Sequence, residues 1–169
     1  FLIEENNLII SASVGIAISP QNGNTMEPLL KNADMAMYYI KNKGKNGYYF
    51  FDDSLDLMMR ERVSIERKFK KAMEENEFYV VYQPQICPVS GEVEGFEALL
   101  RWRSDGVLIP PLKFIQIAEE NGFIIQLGEW VLRQACKDIV KLNKERNTNY
   151  RISVNASVIQ LLQSDFVQM

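Results

Sequence analysis

Hydrophobic and polar positions change their period several times along this chain, and each change marks an element. Residues 8–19, LIISASVGIAIS, are apolar and β-branched and predict a strand ending at Pro20. QNGN after it is turn-forming. From Thr25 the apolar positions Leu29, Leu30, Ala33, Met37 and Ile40 recur at three- and four-residue steps, which predicts a helix. Thr25 with Pro28 close behind marks its start, and the glycines of KNKGKNG end it. YYFF, residues 48–51, reads as a short strand. Residues 53 to about 76 then carry a long, charged helical pattern. Its imperfect stripe is Leu55, Met58, Met59, Val63, Ile65, Phe69 and Met73, with Asp53 or Ser54 as the expected cap. A helix this polar often bridges two domains. The expected division is therefore 1–52, a linker helix at 53–77, and 78–169.

After the linker the rhythm shortens. FYVVYQP predicts a strand ending at Pro84, and a turn at Ser90-Gly91 leads into GFEALLRW, residues 95–102. Pairing across that turn brings Gln83 alongside the Glu97-Ala98 region. A helix is expected over 111–121 and a longer one from Phe123. RISVN, residues 151–155, reads as another strand, and SVIQLLQSDF starts another helix. Strand and helix in alternation imply parallel strands joined by crossovers, so the fold class is α/β.

GFEALLRW poses the chemical question. Side chains alternate across a strand, so Phe96, Ala98, Leu100 and Trp102 share one wholly apolar face. Glu97, Leu99 and Arg101 share the other. The acid and the base read equally as a structural ion pair or as part of a site. Asn155 ends an apolar strand, where an α/β barrel places its chemistry, although a lone Asn more often makes a turn or a helix cap, and Ser157, two residues on, suits the cap equally well. Gln83 sits between apolar neighbours at another strand end. Gln83, Glu97 and Asn155 together suggest a polar mouth on an apolar barrel. Glu97 and Asn155 offer two oxygen ligands, too few for a complete cation site. Lys41, Lys43 and Lys45 cluster around Gly44 and read either as compensation of a helix C-terminus or as phosphate contacts.

Composition narrows the chemistry. The 169 residues include no histidine, which excludes Ser-His-Asp triads, Cys-His dyads and His-rich zinc sites within this chain. A metal held here must use oxygen donors, which favours Mg2+, Mn2+ or Ca2+. A net charge of -3 gives no bulk attraction for a nucleic-acid polymer, and no apolar run is long enough to span a bilayer. Cys87 and Cys136 read as two reduced, packed thiols, which suits a cytoplasmic protein. The chain begins with Phe1 and reads as a piece of something longer, whose other segments can carry a membrane anchor.

The segments together resemble a known tandem. SVGIA and ADMAMYYIKNKGKNGYYFFD, ending at Asp52, resemble the C-terminal third of a GGDEF domain, the cyclase-like α+β fold of diguanylate cyclases. That resemblance implies nucleotide-phosphate contacts for Lys41 and for Lys45, which stands where arginine is usual and so lacks the bidentate fork. YQP at 82–84, EALLRW at 97–102, PLKFIQIAEENGFI at 111–124, LGEWVLRQAC at 127–136 and SVNAS at 153–157 resemble the first part of an EAL domain. This is the TIM-like (β/α) barrel of cyclic di-GMP phosphodiesterases. The resemblance implies Glu97 and Asn155 as metal ligands, and Gln83, Leu99 and Arg101 as contacts of the dinucleotide. It further implies Mg2+ or Mn2+ as cofactor and hydrolysis of cyclic di-GMP to linear pGpG by the parent protein. The alternative is a degenerate receptor or scaffold that binds cyclic di-GMP without catalysis. The family's later acidic ligands fall outside these residues, so this stretch alone is expected to be inactive. The linker helix or the EAL part is a candidate homodimer surface.

Overall fold

Two short strands pair in parallel only if a long crossover returns the chain to its starting edge. The computed structural model, which describes Leu2–Ile3, Asn6–Asn7, residues 10–164 and Phe166, shows this in the first of its two compact units, Phe1–Glu61. Strands β1 (Leu2–Ile3) and β2 (Asn6–Asn7) form an antiparallel ribbon. Strand β3 (Ser13–Ile16) and β4 (Gly47–Phe50) pair in parallel, Ser13 with Gly47 through Ile16 with Phe50, joined by helix α1 (Met26–Asn42). The long run 8–19 therefore yields a four-residue strand, because β4 offers only four partners; residues 8 and 9 lie outside the described residues. Gly15 is obligatory where α1 lies on β3. A Cβ there would stand 1.9 Å from the Ala33 carbonyl oxygen and 2.3 Å from the Met37 nitrogen. Ala36, Phe51 and Leu55 form the core of this unit.

Helix α2 (Asp53–Glu74) starts one residue after its cap, and the cap is Asp52, not Asp53 or Ser54. The Asp52 carboxylate accepts from the Leu55 N–H at 3.0 Å and from the Ser54 hydroxyl, and these bonds hold its pKa below the usual carboxylate range. The helix's apolar stripe is divided between cores. Leu55 belongs to the first, and Ile65, Phe69 and Ala72 belong to that of the second unit, Arg62–Met169.

The second unit is built around one long strand. β5 (Phe78–Ile86) pairs antiparallel with β6 (Val93–Ser104), which pairs along its other edge with β7 (Val107–Ile109) and, in parallel, with β8 (Arg151–Val154). Helices α3 (Pro111–Glu120) and α4 (Ile124–Arg146) make the crossover to β8, and α5 (Val158–Leu161) follows. The strand at 78 continues past Pro84 to Ile86. Among the described residues β5 has a neighbour on one side only, so proline's missing N–H costs no ladder bond. Strand β7 was not foreseen. It forms because Asp105 and Gly106 both take positive φ, 51° and 79°, the two-residue turn that matches strand twist.

The apolar face of β6 packs as its alternation requires. Ala98 and Trp102 are buried, and Leu100 packs against the core that α3 and α4 close with Phe114, Ile117 and Leu127. Trp102 is fully enclosed, with Phe78 and Phe114 at 5.0 and 5.4 Å between ring centres. Its indole N–H donates to the Glu77 carboxylate at 2.8 Å, so burial leaves no polar atom unpaired. Cys87 and Cys136 are free thiols, but they are not packed as the sequence suggested: Cys87 is half-buried and Cys136 is exposed.

Candidate functional site

The other face of β6 carries the polar row. Register aligns Gln83 of β5, Glu97 of β6 and Ser153 of β8 directly across the sheet. Identical parity puts their side chains on one face. Asn155 lies just past the end of β8 on the same parity as Ser153. Its Nδ2 donates to Glu97 Oε1 at 2.8 Å. The structure thus joins the two residues expected as metal ligands.

Glu97 and Arg101 do not form the ion pair that their spacing first suggested. Four residues along a strand span roughly 13 Å, so the helical i, i+4 contact has no counterpart here. Arg101 Nη1 instead donates to the Leu100 carbonyl at 2.8 Å. Leu99 and Arg101 are half-buried at the wall of a cavity of about 330 Å3 that Asn155, Glu119 and Ser157 also line. Gln83, read as hemmed in by apolar neighbours, is exposed, because its flanking strand residues point to the opposite face.

What carries Asn155 is the cap that the sequence offered two residues on. Ser157 opens α5 with a capping box. Its Oγ accepts from the Ile159 N–H, and Gln160 Oε1 accepts from the Ser157 N–H at 3.0 Å. The Ser-x-x-Gln spacing was a legible signal for this. Gln160 is buried and lies against Gly128 of α4, where a Cβ would fall 1.8 Å from Gln160 Nε2. The Ser157 hydroxyl also donates to Glu119 Oε1 at 2.7 Å. Nothing local in the sequence pairs residues 119 and 157.

Among the described residues no group of three or more His, Cys, Asp or Glu can hold a metal ion. The amide nitrogen of Asn155 meets the Glu97 carboxylate, and the oxygens that the two side chains carry are hard donors, which suit an alkaline-earth-like cation and not a thiophilic one.

In the first unit the basic cluster separates. Lys43 closes α1 as its C-cap and places its ammonium 5.0 Å above the Tyr39 ring. Lys41 and Lys45 are exposed, and Lys45 sits in the left-handed turn that follows, at φ 63°.

Residues 66–169 match the EAL domain family, and residues 1–47 match the diguanylate cyclase, GGDEF domain family. The chain belongs to the EAL family, with the end of a GGDEF domain ahead of the EAL part. It is 45% identical over 155 residues to an uncharacterized signaling protein of Caulobacter vibrioides, covering 91% of this chain and 19% of that protein. It is 37% identical to the bifunctional diguanylate cyclase/cyclic di-GMP phosphodiesterase MucR of Pseudomonas aeruginosa, covering 99% of this chain and 24% of that one. The chain thus spans a quarter or less of these relatives' lengths. The solved PaMucR phosphodiesterase in complex with c-di-GMP superposes with a TM-score of 0.59 at 33% identity, over 62% of this chain and 43% of that structure.

Proposed function

We propose that this chain is the first part of the cyclic di-GMP site of a phosphodiesterase that hydrolyses cyclic di-GMP to linear pGpG. The observation that carries the reading is the Glu97–Asn155 contact on the polar face of β6. EAL phosphodiesterases depend on divalent metal, and the two oxygen donors fit Mg2+ or Mn2+. Glu97 and Asn155 would hold the ion, with water, substrate and other groups completing its shell. When bound, the metal supplies Lewis acidity for water activation and for charge building on the phosphodiester.

The chain's own residues bind and orient. Arg101 spends one N–H on the Leu100 carbonyl and keeps its remaining donors for a phosphate. Leu99, between Glu97 and Arg101 on the same face, offers an apolar surface to a base or ribose. Gln83, opposite Glu97, offers an amide at the rim. In the first unit, the exposed Lys41 and Lys45 are the proposed phosphate contacts of the GGDEF part. We place the domain limits at 1–52, 53–77 and 78–169.

The test is release of pGpG by the full-length protein with Mg2+ or Mn2+, resolved by chromatography. Wild type should release product and Glu97→Ala should not, while both keep the same thermal midpoint. Product release that survives Glu97→Ala sinks the assignment. Tight cyclic di-GMP binding without any product would make the protein a receptor instead.

A further inference from the structure

Asn155 is exposed and stands at the head of a three-residue connection, 155–157, between β8 and α5. A side chain on such a segment needs an outside anchor to keep one direction. Ser157 provides it. Its N–H and one hydroxyl lone pair are used within α5 itself. Its hydroxyl proton goes to Glu119, 38 positions earlier, on the last turn of α3.

We propose that Glu119 is a positioning residue that holds Asn155 in its metal-binding orientation through Ser157, an inference that rests on the metal-site reading above. Three observations carry it. The Glu119–Ser157 bond is short, 2.7 Å, and its acceptor is a carboxylate, which makes it a strong bond. The end of α3 is a fixed point, because the next residue, Glu120, pairs with Arg62 of α2. Glu119, Ser157 and Asn155 line the same cavity beside Arg101, so the anchor sits at the site. Gln160 seated on Gly128 holds the far side of α5. With α5 gripped at Gln160 alone, it can pivot, and Asn155 swings with it away from Glu97. Partners of metal ligands act in this way, by fixing the ligand's direction before the ion arrives.

The experiment measures Mn2+ binding to the full-length protein from the paramagnetic resonance signal of free Mn2+, without substrate. Glu119→Ala and Ser157→Ala should each weaken Mn2+ binding by roughly 10- to 100-fold. The double variant should be no weaker than Ser157→Ala alone, because Ser157→Ala already breaks the bond to Glu119 and in addition loses the cap bond from Ile159. Glu119→Gln should bind Mn2+ as wild type does, since an amide oxygen still accepts the hydroxyl proton. Mn2+ binding unchanged by Glu119→Ala overturns the proposal, as does Glu119→Gln failing as badly as Glu119→Ala. Should Glu119→Ala not fold, Ser157→Ala and the Gln variant decide. If Glu97→Ala also leaves Mn2+ binding unchanged, the metal-site reading itself has failed.

Discussion

Asn155 and Glu97 stand 58 positions apart in the chain and meet through a single hydrogen bond, amide nitrogen to carboxylate. The meeting follows from parallel pairing that sets Glu97 opposite Ser153, which delivers Asn155 two residues on to the same face. Separating the bond from the charge is straightforward. Glu97→Gln still accepts from Asn155 but carries no negative charge. Metal affinity should fall at least about 100-fold, the top of the range for losing an outer partner. The urea midpoint should stay where it was. Titration calorimetry with Mn2+ and urea unfolding check the two halves.

Among the described residues, Arg101 donates to a neighbouring carbonyl, that of Leu100. Arg101→Lys should therefore leave stability unchanged and weaken cyclic di-GMP binding. Losing one charge-assisted bond of about 1.5–3 kcal/mol corresponds to roughly ten- to hundredfold in Kd. Equilibrium binding with a fluorescent analogue reads it, and an unchanged Kd removes Arg101 from the site.

Gly128→Ala sets two effects against each other. Alanine favours the interior of α4 by about 1 kcal/mol over glycine. Its Cβ would overlap the buried Gln160 amide at 1.8 Å from Nε2 and 2.5 Å from Cδ. Overpacking costs about 1–3 kcal/mol, so the net change should be a loss. Adding Gln160→Ala should recover most of that clash while losing the capping box. Denaturant midpoints of the single and double variants decide between steric overlap and a general helix effect.

Tyr82 and Asp138 form a pH-dependent link between β5 and α4. The Tyr82 hydroxyl donates to Asp138 Oδ2 at 2.6 Å, and Gln134 donates to the same oxygen at 2.9 Å. Burial works to raise the Asp138 pKa, but these two donors outweigh it and hold it below the usual range. Burial first, and the carboxylate second, push the Tyr82 pKa well up. For the depressed acid, the stability it contributes is present above the ordinary carboxylate range and is lost as pH falls through it. For the raised phenol, the contribution is present below about pH 10 and is lost as pH rises. Tyr82→Phe should cost about 1 kcal/mol at neutral pH. Its deficit relative to wild type should shrink toward both acid and strongly alkaline pH. A deficit that is flat across pH would mean that the hydroxyl's packing, not its bond, matters.

Much of the site was legible because its information is local. A strand alternates with period two, so placing GFEALLRW in a strand already assigned Glu97, Leu99 and Arg101 to one face and Trp102 to the core. A short turn fixes hairpin register, so the sequence alone sets Gln83 beside Glu97, as the structure has it. The absence of histidine confined any metal to oxygen donors. Local signals also misled where a neighbour overruled them. Pro84 did not end β5, because among the described residues that strand is paired on one side only, and the apolar run before Pro20 gave a strand only as long as β4 allowed.

What the sequence by itself determined is which side chains share a face and which chemistry they can perform, since backbone periodicity and side-chain type require no partner. Only the tertiary structure decided that Glu97 turns to Asn155 and not to Arg101, that Gly128 makes room for Gln160, and that Glu119 reaches Ser157. Each of these depends on pairing or packing between segments far apart in the chain. No short-range pattern encodes such a contact, because its geometry exists only once the crossover helices have closed onto the sheet.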